Sequence, residues 1–172
     1  MIDKQLLLSA SLSNKISKIG NLLFNYNRVL DAGMDYLDID VGMRKTSEFI
    51  HEKLAHTAPI DADKFREFNA KNRIRTNYGV PIDGSAGDYS TPLEFYLYAF
   101  TYAVKIIQEI KEAVELAEQE GSLKAKTFLM SQVDTVSRYE YQFALLHDRS
   151  ESAIDQGNTW LDLDSMWQDF VL

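Results

Sequence analysis

Apolar residues three and four positions apart recur along almost the whole chain, and no stretch of six or more residues alternates with a period of two. Spacing of that kind puts side chains on one face of a helix, whereas a half-buried strand needs alternation. The expectation is therefore all-α. A first helix is predicted over about 12–37, where Ile16, Ile19, Leu23, Tyr26, Leu30 and Leu37 form one stripe, Ser11 or Ser13 caps the start and Gly33 weakens the end. A second is predicted over about 39–56 or longer, with Ile39, Met43, Ile50 and Leu54 inward. Pro59 stops or kinks it, and Asp61 or Asp63 then caps a short segment over 64–71.

Residues 73–91 break the pattern, with Gly79, Pro81, Gly84 and Gly87 as punctuation. A third helix follows over about 91–120. Ser90 or Thr91 caps it, Pro92 opens it, and Leu93, Tyr96, Leu97, Phe100, Val104, Ile107 and Val114 make its stripe. Gly121 ends it, and a fourth helix over about 122–149 turns Leu129, Val133, Val136, Phe143 and Leu146 inward. A turn at Gln156–Gly157–Asn158 leads to a short amphipathic tail over about 159–171, which either lies on its own bundle or plugs a pore in an assembly. Two helices, a long connection, two helices and a tail in 172 residues make one domain: a four-helix bundle with a single crossover.

Composition narrows the chemistry. The absence of cysteine excludes disulfides, thiolate metal sites and cysteine nucleophiles, and fits a cytoplasmic setting. The N-terminal MIDKQLLLSASLSNK has only three consecutive leucines, short of a secretory signal, and no run approaches the roughly 20 apolar residues of a membrane span. A net charge of −8 suits solubility or cation attraction and argues against general nucleic-acid binding. There is no Gly-rich phosphate loop and no GxSxG elbow.

The stretch Asp88-Tyr89-Ser90-Thr91-Pro92-Leu93-Glu94 resembles the start of a ferritin third helix. The rhythm through Val114-Glu115-Leu116-Ala117-Glu118, the Glu120-Gly121-Ser122 link and the Phe128-Leu129 pair are similar to ferritins as well, with a fainter likeness at Asn21-Leu22-Leu23-Phe24 and Tyr36-Leu37-Asp38. The resemblance covers roughly 130 residues of a ferritin-like bundle. It implies iron as the partner, a di-iron centre as cofactor, and a homo-oligomer of twelve or twenty-four subunits. By the same resemblance, the positions of the family's liganding glutamates on the first and third helices hold Leu23 and Val104 here, and neither binds iron.

The chain has one Glu-x-x-His pair, Glu48–His51. With Ile50 inward and about 100° per residue, Glu48 points about 160° away and His51 falls at the flank, so the pair reads as a solvated face rather than an interior ligand pair. The HEKLAH stretch places His51 and His56 five apart, so in an α-helix the imidazoles diverge. Glu140 shares the stripe of Val136 and Phe143 and should turn inward, toward a tyrosine, an arginine or a cation, with His147 on the same face. The mini-ferritins called Dps hold iron between subunits, on the outward faces of their first two helices. Glu48, His51 and Glu52 cluster on the corresponding side of the second helix, and Asp31, Asp35 and Asp38 line the first, although the paired histidines of that family are missing. The candidate metal ligands are thus Glu48, His51, Glu52, Glu140 and His147.

Three functions compete. One is iron binding, oxidation or storage in a homo-oligomer, with any ferroxidase activity at a non-standard site. Another is a metal-free bundle kept for assembly or DNA protection, for which Lys4, Lys15 and Lys18 are thin support on an acidic chain. The third is a ligand- or helix-binding bundle using Tyr96, Tyr98, Phe100, Tyr102, Tyr139 and Tyr141, which ordinary core packing also explains.

Overall fold

The computed structural model describes residues 8–79 and 88–171. Among them the chain is helical, without strands. Helix α1 (Ala10–Asp35) runs into a π-helical turn, Tyr36–Val41, and α2 (Arg44–Ile50) into a second, His51–Ala55. Then come α3 (Thr57–Lys71), α4 (Pro92–Gln119), α5 (Leu123–Asp155), α6 (Trp160–Ser165) and a 3₁₀ turn, Trp167–Phe170. Helix α1 packs on α3 and α4, and α4 packs along α5, the two-and-two pairing expected of a bundle. Residues 80–87 of the predicted crossover, with Pro81, Gly84 and Gly87, lie outside the described residues.

Several boundaries differ from expectation for local reasons. The cap of α1 is Ser9, whose hydroxyl accepts from Leu12 N at 3.0 Å, rather than Ser11 or Ser13. Pro59 does not stop the second helix. It falls in the first turn of α3, where its missing N–H and fixed φ are tolerated, because the π turn just before it has reset the helical register. Asp61 therefore sits inside α3, buried, and caps nothing. Helix α4 starts as expected: Thr91 Oγ1 accepts from Glu94 N at 3.3 Å, and Glu94 Oε2 accepts from Ser90 N at 2.8 Å. Gly121, at φ +68°, ends it in the left-handed region.

The core stripe of α4 is not the predicted one. Leu97 and Val104 are exposed, and the buried seam is Phe95, Ala99, Tyr102, Ala103, Ile106, Ile110, Ala113 and Ala117, together with Tyr96 and Ile107. Its alanines let α1 and α5 approach closely, and a stripe drawn through the bulkiest side chains misses them. Ile39 is likewise exposed, on the π turn that follows α1. Gly33 has a packing role beyond weakening its helix, because a Cβ there would overlap the Phe95 ring.

The tail lies on its own bundle. Asp164 of α6, buried, accepts from Lys45 N at 3.2 Å, Thr46 N at 2.8 Å and the Thr46 hydroxyl at 2.9 Å. Helix α2 has no side-chain cap of its own, so a residue about 120 positions away satisfies its first free N–H groups. Trp167 packs on Phe49 with ring centroids 5.7 Å apart, and Gln142 donates to the Phe170 carbonyl at 3.1 Å. No helix among the described residues is long and apolar enough to cross a membrane.

Candidate metal centre

The π turn at His51–Ala55 changes how HEKLAH reads. In an α-helix, residues five apart stand about 140° apart around the axis. Here His56 N donates to His51 O at 3.1 Å, the i→i+5 bond of a π-helix, and residue 56 comes back over residue 51. The two imidazole rings lie 4.1 Å apart, so the expected divergence does not occur. Glu52 lies between them, 4.0 Å from His51 Nε2 and 3.9 Å from His56 Nδ1. One ligand atom from each of the three falls within 4.8 Å of the others. Donors bonded at 2.0–2.2 Å to one ion are about 3–4 Å apart, so small rotamer adjustments complete the set.

Neighbouring side chains hold this turn in place. A π turn leaves carbonyls without ordinary partners, and Asn27 of α1 donates to Ala55 O at 3.1 Å while Thr57 Oγ1 donates to Leu54 O at 2.9 Å. His51 is partly buried, and its Nδ1 is enclosed without a hydrogen-bond partner among the described residues. Asp31 of α1 faces the pair. Burial pushes its carboxyl above the usual range, Asp35 adds to this, and His51 and His56 pull the other way. Beside it an open groove of about 330 Å³ is lined by Asp35, Asp38, Arg44, Glu48, His51 and Glu52. Glu48 is exposed there, as its helical phase predicts. Two imidazoles and a carboxylate with open positions suit Fe(II), and imidazole also suits zinc, copper and nickel.

The bundle interior does not fit a di-iron centre. Such centres take inward glutamates from all four helices and two histidines. At the level where all four helices meet here, the inward groups are Tyr26, Tyr102, Tyr139 and Asp61. Asp61, the one carboxylate, is already satisfied. It accepts from Lys64 Nζ at 2.8 Å, Arg138 Nη2 at 2.6 Å and the Tyr139 hydroxyl at 2.7 Å. Leu23 is fully buried, and Val104 points outward rather than into the bundle.

Glu140 and His147 are not drawn into a site. Glu140 is half-buried rather than turned inward, because the buried seam of α5 passes through its neighbour Tyr139 and then Phe143. The partner foreseen for it, a tyrosine or an arginine, belongs to Asp61 instead. His147 Nδ1 lies 3.2 Å from Asp148 Oδ1. Among the described residues, the metal-competent group of three or more is His51, Glu52 and His56. His56 was missed in the sequence because its spacing misleads unless the turn is π-helical.

Neither a protein-family model nor a curated protein matches this sequence. Solved structures do match. An open-pore ferritin from the hyperthermophilic archaeon Archaeoglobus fulgidus superposes with a TM-score of 0.85 at 17% identity, over 94% of this chain and 97% of that one. A humanized archaeal ferritin gives 0.83 at 17% identity, over 92% and 94%. The Chlorobium tepidum ferritin gives 0.78 at 17% identity, over 84% and 87%. With α4 along α5, α1 against α3 and α4, and superposition on these bundles over 84% to 94% of its length, the chain has the ferritin-like fold.

Proposed function

We propose that this protein binds iron as a ferritin-like homo-oligomer, and that it takes Fe(II) at the outer His51–Glu52–His56 site rather than inside the bundle. The observation that carries this is the π turn, which brings two histidines and a glutamate together beside Asp31. The fold of the similar ferritins and the acidic groove of Asp35, Asp38, Glu48 and Glu52 support it. Storage or oxidation would follow from loading of this site and from assembly into a shell.

Anaerobic titration with Fe(II), and with Co(II) as a spectroscopic substitute, tests the reading. The expected result is one class of site per chain with a visible Co(II) band. His56→Ala should weaken it by more than the about 10–100-fold that loss of an outer-shell partner costs. Binding unchanged in both His56→Ala and Glu52→Ala would overturn the assignment. The filled interior favours one other reading, a metal-free bundle retained for assembly. That reading takes over if the wild-type chain takes up neither ion.

A further inference from the structure

Four tyrosines form a ladder from the surface to the centre of the bundle. Tyr98 on α4 is 42% exposed, and its ring lies 6.3 Å from that of Tyr102. Tyr102 stacks on Tyr26 at 5.5 Å, and Tyr26 meets Tyr139 edge-on at 5.3 Å. Tyr26 and Tyr139 are fully buried. Rings this close exchange single electrons readily, so an oxidising equivalent arriving at Tyr98 can migrate inward.

Where it stops depends on the proton. A phenol that loses an electron becomes a very strong acid, and its radical persists only if a base takes the proton. Among the described residues, the hydroxyl of Tyr102 has no hydrogen-bond partner, and neither do those of Tyr89 and Tyr96. Tyr26 donates to the Ala99 carbonyl at 3.1 Å, an amide oxygen that does not accept a proton outright. Among the described residues only Tyr139 donates to a carboxylate, Asp61 Oδ2 at 2.7 Å. Arg138 Nη2, 2.9 Å from the phenol oxygen, remains as a donor once the proton has left.

We propose that Tyr139 and Asp61 together form a one-electron sink, with Tyr98, Tyr102 and Tyr26 as its conduit. A strong one-electron oxidant in solvent takes an electron from Tyr98. Electrons then pass from Tyr102 to Tyr98, from Tyr26 to Tyr102 and from Tyr139 to Tyr26. At Tyr139 the O–H bond breaks and its proton moves to Asp61. The oxidant has gained one electron, Tyr139 has lost an electron and a proton, and Asp61 has gained the proton. The neutral phenoxyl is left away from solvent, where it cannot couple with a second radical. This inference does not rest on the metal reading, and its test is run without added metal.

The test is flash-quench oxidation of the full chain with photogenerated tris(bipyridine)ruthenium(III), followed by visible absorption and paramagnetic resonance. The expected result is a long-lived neutral tyrosyl signal whose formation slows in deuterated solvent. That signal should vanish in Tyr139→Phe and in Asp61→Asn and survive in Tyr141→Phe, which alters an exposed ring outside the ladder. Circular dichroism establishes that each variant is folded, and Tyr139→Phe, which keeps the ring, decides the matter if Asp61→Asn unfolds. A signal that persists in Tyr139→Phe, or a wild-type chain without a long-lived radical, overturns the proposal.

Discussion

Asp61 shows how one buried residue decides what the bundle interior can do. Its side chain is 4% exposed, and a carboxylate there must be neutralised. Lys64 and Arg138 supply the positive charge and Tyr139 a further hydrogen bond. Hydrogen bonds to charged groups contribute about 1.5–3 kcal/mol each, so Asp61→Ala should cost about 2–3 kcal/mol in urea unfolding after the freed donors turn to water. The same variant should leave Co(II) affinity unchanged, because the outer ligands are on a different face. A loss of metal binding in Asp61→Ala would mean that the interior carboxylate is a ligand after all. Helical phase located the buried stripe of α5 to within one residue. That residue separates Glu140 from Tyr139, and such an offset is enough to exchange a predicted interior carboxylate for a phenol.

At the scale of elements, the π turn at His51–Ala55 sets the geometry of the outer site. The His51–Ala55 turn carries one residue more than an α-helix would, and Asn27 of α1 bonds its Ala55 carbonyl, so Asn27→Ala should loosen the turn and let the imidazoles part. Asn27→Ala should leave helix content near wild type by circular dichroism and weaken the Co(II) band. A band of wild-type strength would show that the histidine pair does not depend on that bond. Asp164 works at the same scale, since α6 supplies the cap that α2 lacks. Asp164→Ala should destabilise the chain by about 1–2 kcal/mol, read as a lower denaturation midpoint, and should increase amide exchange at Lys45 and Thr46 first.

Across the whole molecule, α1 is tied to α4 by a cluster of charges. Lys15 bonds Glu109 at 2.9 Å and also pairs with Glu112, and Lys18 bonds Glu109 at 2.5 Å. Burial pushes the Glu109 carboxyl up, but Lys18 and Lys15 outweigh it and leave it below the usual value of 4.5. The Lys15 bond holds Glu112 below 4.5 as well, and the two glutamates raise Lys15. A carboxylate with a depressed folded pKa contributes stability that is fully present above its unfolded value and is lost as pH falls through the folded one. The wild-type chain should therefore lose stability on acidification from neutral pH to about 3, and Lys15→Met should lose less of it. Urea midpoints of both proteins across that range check the prediction, and equal losses would rule the cluster out as a source of acid sensitivity.

The helices, their order and the two-and-two pairing were legible in the linear pattern, because a 3.6-residue repeat of apolar side chains is a local property that survives into the folded state. The caps at Thr91 and Gly121 were legible for the same reason. What the pattern could not supply were features that depend on partners far along the chain. Asp164 caps α2 across about 120 positions, and Arg138 and Tyr139 reach Asp61 from another helix. The histidine pair lay between these cases. Its residues are five apart in plain view, but a π turn carries no sequence mark, and bonds from Asn27 and Thr57 to its carbonyls come with the packing of α1 and the start of α3. Local spacing determined the bundle, and tertiary packing decided where its carboxylates and imidazoles meet.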